Sequence, residues 1–177
     1  MRRHWHWTWV AGLMWGGLCG PLLAEPVSHH ITVKVSMENT SDFRKIAGSS
    51  EKSKQQTRQL SVTLDNRDKE QVKDLSVKWA IYAHKMQNHQ LVTVKQGTVK
   101  TKIEALEAKT VKSDRVTIKG TPKHSVTSRK TVRGKVQANT KHFPATGEEY
   151  YGYSVEVYAG STLIDEVYSQ PSLQRGK

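Results

Sequence analysis

Leu75-Ser76-Val77-Lys78-Trp79-Ala80-Ile81 decides the fold class. Leu75, Val77, Trp79 and Ile81 alternate with Ser76, Lys78 and Ala80. Side chains leave a strand on opposite faces at every step, so this order sends the large apolar groups to one side. The same rule reads outward in both directions. Ile31, Val33, Val35 and Met37 alternate with Thr32, Lys34 and Ser36, and Leu60, Val62 and Leu64 with Ser61 and Thr63. Tyr151, Tyr153, Val155 and Val157 alternate with Gly152, Ser154 and Glu156. One face of each strand is expected in a core and the other in water, as in antiparallel sheets.

Weaker strands are expected at Leu91–Gln96, Val99–Ala105, Arg115–Lys119 and Thr162–Tyr168. The last follows the link Ala159-Gly160-Ser161, which suits a hairpin. Apolar and acidic residues mix on both its faces, which places it at a sheet edge. Asp65-Asn66-Arg67-Asp68-Lys69 reads as a polar link, and Thr40–Gln59 as a long polar connection with one helical turn at Ser41–Ile46. Lys102–Lys109 has helix-forming composition as well. Residues 169–177 read as a flexible tail.

Short strands separated by turn material point to an all-β antiparallel sandwich of seven to eight strands over 31–168. Leu75-Ser76-Val77-Lys78-Trp79 resembles the third strand of immunoglobulin-like domains, where a tryptophan fills the space between sheets. Tyr151-Gly152-Tyr153-Ser154-Val155-Glu156-Val157-Tyr158 resembles the penultimate strand of fibronectin type III domains. The resemblance implies that Trp79, Tyr151 and Tyr153 are structural core residues, with a tyrosine at the sheet corner. It implies the cysteine-free branch of that architecture. It implies a fold and no activity.

The chain has 177 residues and a formal charge of +12. Met1-Arg2-Arg3 precedes a mostly apolar run, then Pro21-Leu22-Leu23-Ala24 with a small residue before Glu25. That is the layout of a secretory signal peptide over 1–24, followed by a short extension at 25–30. Its loss takes Arg2 and Arg3 away, so the charge falls to +10. An uncleaved membrane anchor is the alternative, because Trp5–Ala24 is about long enough to span. Gly12, Gly16, Gly17, Gly20 and Pro21 weaken it as a permanent helix. Cys19 is the single cysteine and leaves with the leader. The expected location is extracytoplasmic, with no integral membrane segment after cleavage and no disulfide or thiolate chemistry.

The compositional anomaly is Arg115–Gly147, which holds no acidic residue. Arg115, Lys119, Lys123, Arg129, Lys130, Arg133, Lys135 and Lys141 lie in it. It reads either as a solvated loop or as an electropositive hairpin that docks on a polyanion. In the second case Lys119, Lys123, Arg129, Lys130, Arg133 and Lys135 are the contact residues. Phe143 is the one aromatic residue there, which disfavours single-stranded nucleic acid. The partner would be an acidic wall polymer, a polysaccharide or another envelope protein.

Other chemistry finds little support. His29, His30, His84, His89, His124 and His142 lack converging metal-ligand spacing. Glu148-Glu149 and Asp165-Glu166 are adjacent pairs, which diverge on a strand and cannot share a substrate. No nucleophile elbow occurs. Neither a catalytic nor a cofactor motif is present, so a non-enzymatic binding or structural module is expected. Asn39-Thr40-Ser41 matches the glycosylation triplet. Tyr82, Tyr158 and Tyr168 read as ordinary half-buried strand residues or as an aromatic strip for sugar or protein contact.

Overall fold

The computed structural model describes residues 30–174; the expected leader, residues 25–29 of the extension and residues 175–177 lie outside them. Ten strands follow in chain order: β1 Ile31–Lys45, β2 Lys52–Asn66, β3 Val72–Lys85, β4 Leu91–Ile103, β5 Ala108–Lys112, β6 Val116–Thr121, β7 His124–Val132, β8 Lys135–Phe143, β9 Thr146–Ala159 and β10 Thr162–Tyr168. Every pairing is antiparallel. The expected all-β antiparallel class is therefore what the chain adopts. Eight strands form one sheet along β1-β2-β6-β9-β3-β4, with β5 on β2 and β10 on β9. Among the described residues, β7 and β8 pair only with each other.

Two strands change partner along their length, and this lets one sheet enclose a core. β2 pairs with β6 over Lys54–Arg58 and with β5 over Ser61–Asp65. Ser113 bridges the break: its Oγ accepts from Leu60 N at 2.9 Å, and its own N–H donates to the Leu60 carbonyl at 2.9 Å. β9 begins against β6 at Thr146 and Gly147, then runs along β3, with β10 on its other side from Ser154 onward. The inward residues of both halves make a single core. It joins Leu60, Val62, Leu64, Val116 and Ile118 to Leu75, Val77, Trp79, Ile81, Val155 and Val157, all at most 5% exposed. Trp79 pairs across to Val155 and to Gly97 on β4. A Cβ at position 97 would sit 2.8 Å from the indole, so glycine there makes room for Trp79.

Several sequence expectations need correction. Thr40–Gln59 is not a connection with a helical turn. β1 runs to Lys45, β2 begins at Lys52, and only a tight turn closed by Ser49 N–H to the Ile46 carbonyl separates them. The residues of this outer half that continue the core-side face are Asn39 and Ser41, both exposed, and Gln56 and Arg58, both buried, and their polarity hides the alternation. The strands expected at 91–96 and 99–105 are one strand, β4, because Gly97 continues the ladder beneath Trp79. Lys102–Lys109 is no helix; it turns and enters β5.

Tyr151 is not a core residue. The pairing of β3 with β9 shifts between Tyr82 and Ala83, so Tyr153 faces the core opposite Ile81 and Tyr150 takes the next inward place opposite Ala83. Tyr151 points outward, with its ring 4.3 Å from that of His84 and its hydroxyl bonded to Ser172 Oγ. Nor does the chain fray at Ser169. Ser169 exchanges two hydrogen bonds with the Tyr153 backbone, through its Oγ at 2.7 Å and its N–H at 3.0 Å. A 3-10 turn at Pro171–Leu173 then buries Leu173. At the other end, the His30 backbone N–H donates to the Asp68 carboxylate at 2.8 Å. No helix among the described residues is long and apolar enough to cross a membrane.

Candidate functional site

The acid-free segment folds mainly as the β7–β8 ribbon. Nine residue pairs join its strands, from His124–Phe143 at the base to Val132–Lys135 at the tip. Arg133 and Gly134 close it with φ of +49° and +73°. Positive φ at both central residues is what a tight hairpin turn of the I′ type requires. Every residue of β8 is exposed, and so is β7 from Thr127 onward. The ribbon touches the rest of the chain at its foot, where Val126 lies over Gly48 of the β1–β2 turn. His124 stacks on Phe143 there, with ring centroids 5.0 Å apart.

The register distributes the charges. Lys130, Lys135 and Lys141 share one face of the ribbon, Arg129 lies on the other, and Arg133 sits in the turn. At about 3.3 Å per residue, Arg133 stands roughly 25–30 Å from the base. Lys123 is exposed between β6 and β7. Lys119 is one strand earlier, on the outward face of β6 beside Gln55. It lines a separate 350 Å³ groove with Arg44, Ser53, Thr121 and Thr146. The six residues singled out in the sequence are therefore strung along an extended surface. They do not converge as the walls of a pocket would.

A different cationic feature was invisible in the sequence. Gln56 and Arg58 continue the inward face of β2 beyond Leu60, and both are buried. The Arg58 guanidinium lies over the Tyr150 ring at 4.6 Å. Its Nη2 donates to the Gln56 side-chain oxygen at 2.8 Å once that amide is turned to face donors. Among the described residues its Nε and Nη1 have no hydrogen-bond partner. Burial raises the Tyr150 hydroxyl above the ordinary phenol range, against a bond to Ser169 and the Arg58 charge, which lower it. A 170 Å³ cleft opens outside Gln56 between Phe43, Met86 and Pro122, with Lys52, Lys54, Glu148 and Glu149 around it. Its cations and carboxylates nearly balance, so it is no anion site by charge.

The outward side of β3, β9 and β10 carries Tyr82, Tyr158 and Tyr168. The Tyr82 hydroxyl lies 3.2 Å from Ser154 Oγ. Tyr158 donates to Glu156 Oε2 at 2.8 Å and Tyr168 to Glu166 Oε2 at 3.2 Å. The histidines are dispersed: His30 is against Asp68, His84 against Tyr151, His124 on Phe143 and His142 on Ser125. Of the carboxylates, Glu38 is held below its usual range by its bond to the Lys112 ammonium at 2.7 Å. Glu104 is lowered by Lys102 and Gln71.

No protein-family model matches the chain, and no curated protein does. Among solved structures, the X-ray structure of a Northeast Structural Genomics Consortium target, SoR45, is similar over 74% of this chain and 87% of that one. The identity is 11% and the TM-score 0.29.

Proposed function

We propose that this protein is an extracytoplasmic, non-enzymatic module of immunoglobulin-like sandwich type that binds an acidic envelope polymer along its β7–β8 ribbon. One observation carries the reading. The ribbon projects from the core, exposes nearly every residue, and holds Arg129, Lys130, Arg133, Lys135 and Lys141 with no acid among them. A lone two-stranded hairpin is marginally stable in water, so a ribbon of this length gains order from a partner. Cations spaced along about 25–30 Å suit a chain of charges better than a single small anion. The signal-like leader supports the location, and the shared core of the two sheet halves supports the sandwich.

The test is binding of the full chain to polygalacturonate over a salt series. Exposed charges are screened beyond about 10 Å at 0.1 M, so affinity should fall steeply with salt. Replacing Arg129, Lys130, Arg133 and Lys135 with Ser should abolish binding at an unchanged thermal midpoint. Replacing Lys34, Lys69, Lys73 and Lys100, which are exposed elsewhere, should do much less. Equal losses from the two sets would show that net charge alone attracts the polymer, and the ribbon would lose its role.

A further inference from the structure

The outward face of the two central strands is hollow. Ala80 on β3 and Ser154 on β9 are paired neighbours on the side away from the core. They are nonetheless only 8% and 7% exposed. Taller side chains around them provide the cover. Tyr82 stands beside them on β3, and Tyr168 reaches over from β10, where it pairs with Ser154. Gln96 and Thr98 of β4 form the opposite wall, and Leu173 of the C-terminal turn closes one end. The result is a groove of 360 Å³. That is the lower part of the roughly 300–1,000 Å³ range of small-molecule sites.

Its chemistry is specific. The two charged side chains lining it, Lys78 and Glu156, cancel, so the groove has no preference for an ion of either sign. Lys78 is also held over the Tyr158 ring at 4.2 Å, and Glu156 accepts from the Tyr158 hydroxyl. The hydroxyls of Tyr82 and Tyr168 are tethered to Ser154 and Glu166, which fixes the ring orientations before any ligand arrives. Pre-set rings lose little freedom on binding. What remains is aromatic surface beside hydroxyl and planar amide groups: Tyr82 and Tyr168 next to Ser154, Thr98 and Gln96. A tyrosine offers an apolar ring with a polar tip. A pyranose ring offers the complement, an apolar C–H face rimmed by hydroxyls.

We infer that this groove binds a neutral glycan, with sugar rings lying on Tyr82 and Tyr168 and their hydroxyls meeting Gln96, Thr98 and Ser154. The site is separate from the ribbon and independent of the polyanion reading. Unlike that reading, it demands an affinity independent of salt.

Calorimetric titration of the full chain with β-1,4-linked hexasaccharides of glucose and of N-acetylglucosamine tests the assignment. At least one should bind saturably, with an affinity that does not change between about 0.05 and 0.5 M salt. Tyr168→Ala should weaken it about tenfold, the scale of one aromatic contact. Tyr82→Phe keeps the ring and should stay within about threefold, where Tyr82→Ala should match Tyr168→Ala. Gln96→Ala, on an exposed position of β4, gives a second readout if a tyrosine variant fails to fold. Absence of binding to both saccharides would overturn the inference. So would undiminished binding by the folded alanine variants, or an affinity that falls with salt. Loss of polygalacturonate binding in the ribbon variant leaves this site intact, so the two readings fail separately.

Discussion

β2 and β8 are both regular antiparallel strands, yet they are made in opposite ways. From Gln56 to Asn66, β2 buries every second residue: Gln56, Arg58, Leu60, Val62, Leu64 and Asn66. β8, Lys-Val-Gln-Ala-Asn-Thr-Lys-His-Phe, buries none of its residues. The ladder of backbone hydrogen bonds is the same kind in both. What differs is the apolar area removed from water, about 25 cal/mol per Å², which stabilises β2 and contributes almost nothing at β8. Ladder geometry makes a strand regular, whereas burial makes it stable. The ribbon's order then rests on its turn, on β-branched cross-strand pairs such as Thr127–Thr140, and on whatever it binds.

The sharpest way to break that contrast is a cavity. Trp79→Ala should cost about 3–5 kcal/mol in denaturant unfolding, as for other buried large aromatics. Val136→Ser, at a β8 residue 66% exposed, should cost less than about 0.5 kcal/mol. Similar losses from the two would mean that the ribbon folds onto the body of the protein in solution.

The same contrast explains which parts were legible in the sequence. β3, most of β9 and the halves of β1 and β2 near Val33 and Leu64 were readable because a core faces them and imposes alternation. The outer halves of β1 and β2 were not, since polar Asn39, Ser41, Gln56 and Arg58 continue the core-side face, the first two of them exposed. Nothing in such residues distinguishes a strand from a polar loop. The ribbon was readable as a charged, acid-free window but not as two strands, because neither of its faces is buried. Tyr151 was misplaced by one irregularity in the β3–β9 pairing, since a one-residue slip moves a side chain to the other face. The groove over Ala80 and Ser154 had only a faint signal, the outward tyrosines at 82, 158 and 168.

The C-terminal turn is a middle case and sharpens the comparison. Leu173 is 8% exposed, and a Cβ on Gly152 would lie 2.8 Å from its Cδ1. Truncation after Tyr168 should therefore destabilise the protein by about 2–3 kcal/mol, the value for burying one leucine. No change in the midpoint would return this segment to the class of β8.

The buried arginine divides β2 itself. A buried cation without a carboxylate partner costs free energy, and two nitrogens of Arg58, Nε and Nη1, are unbonded among the described residues. Arg58→Met should be neutral or stabilising by about 1 kcal/mol, despite losing the contact with Tyr150. A loss above about 2 kcal/mol would show that the Tyr150 stack outweighs the desolvation. Tyr150 adds a pH signature. Its folded pKa lies above the unfolded value, so the folded state holds its proton longer. The stability it contributes is complete below about pH 10 and is lost as pH rises through the folded value. Tyr150→Phe should remove that alkaline fall, as unfolding midpoints on both sides of pH 10 would show.

The largest deletion should still have a small effect. Ser125–His142 can be excised and the base closed with an Asn-Gly turn between His124 and Phe143, which already face each other across the ribbon. The cut removes the contact of Val126 with Gly48 and shortens the loop joining β6 to β9. Loop closure becomes easier by only about 0.6 kcal/mol for each halving of length, which offsets part of the lost contact. The net change in unfolding free energy should stay within about 1 kcal/mol. Hydrogen exchange on the intact chain should agree, with β8 amides opening far more readily than those of β2 around Leu60–Leu64. Polygalacturonate binding should vanish in the same variant while neutral saccharide binding persists. A loss of more than about 2 kcal/mol would place the ribbon among the stabilising elements and remove the difference between β2 and β8 on which its assignment as a docking arm rests.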